Sequence, residues 1–124
     1  MFALTSGMQY YLYGKATDMR NSFDGLSGIV RNELDRNPLN GDVFIFLNLR
    51  RNLIKILHWE RGGFALYYKR LEKGTIEIPE LNSGSKSIQI SWTTLMLMVE
   101  GISMRHLKRK SRYTATTENV PYLQ

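Results

Sequence analysis

The sequence contains no cysteine, which excludes disulfides, thiolate nucleophiles and thiolate-held zinc or iron–sulfur sites. Long apolar runs are also missing. The longest, VFIFL from Val43 to Leu47 and LMLMV from Leu95 to Val99, fall far short of the ~20 residues a membrane-crossing helix needs. Met1 to Met8 lacks the charged start and extended apolar stretch of a signal peptide. A soluble, cytoplasmic protein is the expectation. Histidine is scarce: His58 sits between Leu57 and Trp59, and His106 in a basic segment, neither with Ser or Asp at a relay spacing. The acids are scattered. Asp18 and Asp24, six apart, fall on opposite sides of a helix rather than pairing to hold magnesium. GKATDMR lacks the second glycine and the Lys-Ser/Thr ending of a phosphate loop. These absences predict a non-enzymatic protein with no catalytic residue, metal or cofactor. A cryptic magnesium-dependent nuclease using Asp18 is the enzymatic alternative.

What is present is positive charge, and it is unevenly spread. The 124 residues carry a formal net charge of +6. Arg105 to Arg112, RHLKRKSR, holds five bases and no acid, and Arg50 to Lys73 holds seven bases against Glu60 and Glu72. Such zones attract phosphate or acidic protein surfaces, although a run of charge is also simply what a solvated face looks like.

Periodicity predicts an α+β domain over residues 1–107 and a polar, basic tail over 108–124. QYYLY (Gln9 to Tyr13) reads as a first strand. Met19, Phe23, Leu26, Val30 and Leu34 recur at helical spacing, with Thr17 or Asp18 as the N-cap and Pro38 as the stop. Gly25 and Gly28 within that helix suggest a close approach of neighbouring backbone. DVFIFLN (Asp42 to Asn48) is apolar on both faces, so a central strand. LIKILHWE (Leu53 to Glu60) and FALYYKRLE (Phe64 to Glu72), joined by RGG, read as a hairpin in which Trp59 faces Phe64, Leu57 faces Leu66, Lys55 faces Tyr68 and Leu53 faces Arg70. The sheet is expected to be covered on one side and partly on the other. TIEIP reads as an edge strand, SIQIS as a strand, and Ser91 as the cap of a second helix from Trp92 to about Leu107 with Leu95, Met98 or Val99, and Ile102 inward. The fold class is therefore a mainly antiparallel sheet of about five strands with two packed helices.

Basic and aromatic residues interleave in the hairpin. Lys55, Trp59, Tyr67, Tyr68, Lys69 and Arg70 suit a positively charged sheet face with rings for base stacking; they equally suit a core whose cations reach to the rim. With Arg50, Arg51 and the tail residues Lys108, Arg109 and Lys110, the candidate nucleic-acid set is Arg50, Arg51, Lys55, Lys69, Arg70, Lys108, Arg109 and Lys110. Arg20, in what reads as a first helical turn, opposes the helix dipole, so a carboxylate or phosphate partner is expected to hold it. Arg20, Trp59 and Tyr68 form a candidate protein-partner set.

Three blocks, TDMRNSFDGL, FIFLNLRRNLIKILHWERGGFALYYKRLEKG and SIQISWTTLMLMVEGI, occur in an order and spacing that resembles the TnpB, or Orf-two-like, accessory proteins of bacterial insertion sequences of the IS-sixty-six type. This family is unrelated to the RNA-guided nucleases of the same name. The resemblance runs from Leu4 to Arg105. It rests on Asp18, Met19, Arg20, Phe23, Gly25 and Leu26, on Lys55, Ile56, Leu57 and Trp59, and on Lys69, Arg70, Leu71, Glu72 and Gly74; Ile76 stands where the family has an aromatic residue. It implies a helper in transposition, encoded beside a larger transposase that carries the acidic catalytic triad. The implied partners are the element's DNA, the transposase, or both. A protein-interaction module that binds the transposase without touching DNA is the alternative.

Overall fold

A computed structural model describes residues 3–79 and 84–102. In chain order the elements are β1 (Tyr10–Tyr13), α1 (Phe23–Asn32), β2 (Val43–Leu47), β3 (Leu53–Glu60), β4 (Gly63–Arg70), β5 (Ser87–Ile90) and α2 (Trp92–Glu100). The strands form one sheet in the order β4-β3-β2-β1-β5. Only β1 and β2 run parallel; the other neighbours are antiparallel. The α+β class, the five strands and the two helices are those the sequence predicts. The parallel pair follows from connectivity, because a parallel crossover needs a dozen or more residues and the segment containing α1 supplies them.

β2 lies at the middle of the sheet with all five residues buried, as its two-faced apolar pattern demands. The hairpin pairs Trp59 with Phe64, Leu57 with Leu66, Lys55 with Tyr68 and Leu53 with Arg70, the predicted register. Both faces of the sheet are covered, more fully than its mixed hairpin faces suggest. On one, Leu26, Val30 and Leu34 pack with Tyr11, Tyr13, Phe44, Phe46 and Leu57. On the other, Leu95, Met98 and Val99 pack with Tyr10, Leu12, Val43, Ile45, Ile54 and Ile56. The two helices thus lie on opposite faces.

Helix boundaries depart from expectation. α1 begins at Phe23 after Ser22, which makes no side-chain cap bond. Thr17 and Asp18 lie too far upstream to cap it. The Thr17 amide donates to the Leu47 carbonyl at 2.8 Å, and the Asp18 carboxylate is taken by Arg20. Phe23 is exposed rather than facing the sheet. The helix stops at Asn32, six residues before Pro38, where the amides of Leu34 and Arg36 donate back to Ile29 and Val30. A Cβ at Gly25 would meet the Asn21 side chain rather than backbone, and one at Gly28 would point into open space.

α2 begins as expected: Ser91 Oγ accepts from the Thr94 amide at 3.0 Å. It ends at Glu100, because Gly101 adopts a left-handed φ of 75° and closes the helix; Ile102 lies exposed beyond it. TIEIP is not a strand. Its Ile76 is buried, and the Ile76 amide donates to the Arg51 carbonyl at 2.7 Å. Residues 108–124, including Lys108, Arg109 and Lys110, lie outside the described residues. No helix among the described residues is long and apolar enough to cross a membrane.

Candidate nucleic-acid interface and the Asp18–Arg20 turn

The sheet topology brings cations from distant parts of the chain to one end of the molecule. The carboxyl ends of β1 and β2, the amino ends of β3 and β5 and the carboxyl end of β4 all meet there. That end carries Lys15, Arg20, Arg50, Arg51, Arg70, Lys73 and Lys86 against Asp18, Asp24, Glu72, Glu77 and Glu100. The opposite end carries Glu33, Asp35, Asp42 and Glu60 with Arg31, Arg36 and Arg61. Arg50 and Arg51 are both exposed at the β2–β3 turn. Lys15 and Lys86, far apart in sequence, are joined by the Gly14 amide donating to the Lys86 carbonyl at 2.9 Å. Sequence reasoning missed Lys15, Lys73 and Lys86, because only the pairing of β5 with β1 and the return of β4 bring them to this end.

The turn that carries Arg50 and Arg51 is braced. Asn48 Oδ1 accepts from the amides of Asn52 (3.0 Å) and Leu53 (2.9 Å), and its Nδ2 donates to Asn52 Oδ1 at 2.7 Å. Arg51 sits at a φ of 58°. Its amide donates to the Asn48 carbonyl at 3.1 Å while its carbonyl accepts from Ile76. Beside the turn opens a cleft of about 230 Å³ lined by Tyr13, Lys15, Leu47, Leu49, Arg51 and Ile78 among others.

Lys55 is not part of that surface. It is buried at 5% exposure, and its ammonium donates to the carbonyls of Met19 (2.8 Å) and Asn21 (2.7 Å) while standing 4.5 Å from the Tyr68 ring centroid. Phosphate cannot reach a donor so enclosed without dismantling the turn. Lys69 is half-buried and donates to the Val99 carbonyl near the end of α2 at 2.7 Å. Arg70 is exposed but paired with Glu72 at 2.9 Å. Of the five hairpin and turn cations expected to face nucleic acid, Arg50, Arg51 and Arg70 share the basic end, and Lys55 and Lys69 tie elements together.

The two carbonyls that Lys55 holds flank Arg20. Arg20 precedes α1 instead of lying in its first turn, so it does not oppose the helix dipole. Its expected carboxylate partner is Asp18: Nε donates to both Asp18 oxygens at 3.1 and 3.0 Å, Nη2 donates to Oδ2 at 2.5 Å, and the Arg20 amide adds a fourth bond at 2.9 Å. The guanidinium holds the Asp18 carboxyl down to about 2, and the carboxylate in turn raises Arg20. The Arg20 side chain stays 91% exposed, so the pair fixes its direction without hiding it. Tyr68, 53% exposed, lies close by through Lys55. Trp59 shares that sheet face but lies four residues further along β3 and packs edge-on against Phe64 at 5.0 Å. Arg20 and Tyr68 both neighbour Lys55, and Trp59 lies apart. Among the described residues, no three His, Asp or Glu side chains cluster as a metal site would require.

A five-stranded sheet with a helix on each face defines a small α+β domain. The family described as IS66 Orf2-like protein matches residues 8–109, and the chain belongs to that family, one of insertion-sequence-associated accessory proteins. The match reaches past Arg105 to include Lys108 and Arg109. Two relatives come from Sinorhizobium fredii. Uncharacterized protein y4hO is 35% identical over 98 residues, covering 79% of this chain and 84% of its own. Uncharacterized protein y4jC is 27% identical over 110 residues, covering 89% and 92%. No solved structure matches the chain significantly.

Proposed function

We propose that the protein assists transposition as a non-enzymatic factor that grips the phosphate backbone of the element's DNA with its basic end. The observation that carries this reading is the convergence of Lys15, Arg50, Arg51, Lys73 and Lys86 on one end of the sheet, none with an acid partner among the described residues. Cations without partners keep their full attraction for phosphate, whereas Arg70, already paired, contributes less. Asp18 argues against the nuclease alternative, since both of its oxygens accept from Arg20 and a magnesium ion would have to displace that guanidinium.

Salt dependence is the test. Four phosphate contacts give a slope of log affinity against log salt of about −3.6, so duplex binding should weaken by roughly 150-fold between 50 and 200 mM salt. An affinity flat across that range would overturn the proposal. The second reading, docking on the transposase without DNA contact, is favoured by Arg20 and Tyr68, which are both exposed on either side of Lys55. A transposase complex that survives nuclease treatment and is lost with Arg20→Ala supports it.

A further inference from the structure

Leu49 is 83% exposed, more than Phe23, Leu39, Tyr68 or Ile102, at the tip of a turn that holds it rigid. It stands directly before two arginines without an acid partner. Leu49 also lines the cleft beside the carboxyl ends of the parallel strands β1 and β2, together with Lys15, Arg51, Leu47 and Ile78. At about 230 Å³ the cleft is below the ~300–1,000 Å³ of pockets that take drug-sized ligands. It has room for one ring and its phosphate.

We infer that this cleft takes a single unpaired nucleotide, at a strand end or displaced from a duplex, with Leu49 acting as the apolar wedge against the neighbouring base pair. The inference rests on the backbone grip proposed above and adds a function to it: selection of DNA that is frayed or opened. Lys15 and Arg51 hold the phosphates on either side of the nucleotide. Leu49 and Ile78 offer its base apolar contact, so the selection is for unpaired structure. Side chains that wedge into a base step are commonly leucine-like, and opening the step is cheapest where pairing is already lost.

Binding of the full chain to two fluorescent duplexes of equal length and charge tests this, one blunt and one with a single unpaired nucleotide carrying 2-aminopurine. The wild type should prefer the unpaired duplex by about tenfold and change the 2-aminopurine emission. Leu49→Ser should abolish both the preference and the emission change while leaving blunt-duplex affinity and its salt slope in place; Leu49→Met should restore them. Because Leu49 is solvent-exposed, neither variant threatens folding. Equal binding of the two duplexes by the wild type, or a preference that survives Leu49→Ser, would overturn the inference yet leave the grip standing. Salt-independent binding, or none, would bring down both.

Discussion

Lys55 offers the sharpest perturbation, because its sequence context is that of a surface cation and its structure is that of a tie. Lys55→Met keeps the length of the side chain and removes the ammonium. It leaves the Met19 and Asn21 carbonyls without their donor, and it removes a cation from beside the Tyr68 ring. Each carbonyl stranded in this way costs about 1–1.5 kcal/mol. The partial relief of no longer burying a charge reduces the total, so a net loss of about 2 kcal/mol is expected. Against a domain stability of ~5–15 kcal/mol that is a large fraction. With a urea m-value of about 2 kcal/mol/M the midpoint should fall by about 1 M at constant m. The same variant should leave the salt slope of DNA binding unchanged, whereas Arg51→Ala should make it shallower by about 1. A midpoint within about 0.2 M of wild type, or a shallower slope for Lys55→Met, would show that the ammonium faces solvent and phosphate after all.

Other outcomes follow from single contacts. The Asp18 carboxyl, held down to about 2 by Arg20, should titrate there by carbon NMR and return toward the ordinary carboxylate range in Arg20→Gln; a wild-type midpoint near 4 would mean the pair is not formed in solution. Because the folded value is depressed, whatever the pair contributes to stability is present above the usual carboxylate range and is lost only as pH falls toward 2, so melting temperatures between pH 5 and 8 should not respond to it. Gly28→Ala, with open space around the new methyl, should stabilise α1 by about 0.5–1 kcal/mol, while Gly25→Ala, whose methyl would meet the Asn21 side chain, should destabilise; thermal melts moving in the same direction for both would refute the assignment. Ser91→Ala should cost about 1 kcal/mol through the lost bond to the Thr94 amide, read as a lowered urea midpoint.

How much of this was legible in the sequence depends on the range of the interactions involved. The hairpin register was readable because LHWERGGF is local: a tight turn and alternating side chains leave one pairing that puts Leu57 opposite Leu66. Ser91 was readable for the same reason, as a cap whose bond spans three residues. Thr17 and Asp18 carry the same cap chemistry, yet tertiary and side-chain competitors claimed them, Leu47 for the Thr17 backbone and Arg20 for the Asp18 carboxylate. The parallel alignment of β1 with β2 left no local mark, since its signal lies in the crossover through α1. The candidate site divides along the same line. Arg50 and Arg51 are neighbours in sequence and stayed together, but charge counting could not distinguish them from Lys55, whose role is decided by the carbonyls of residues 36 and 34 positions away. Burial therefore separates the cations of the hairpin into two tasks. Lys55 and Lys69 use their charge inward, to fix the Arg20 turn and the end of α2. Arg50 and Arg51 instead stand without an acid partner at a tip braced by Asn48, where the proposed function places the phosphate.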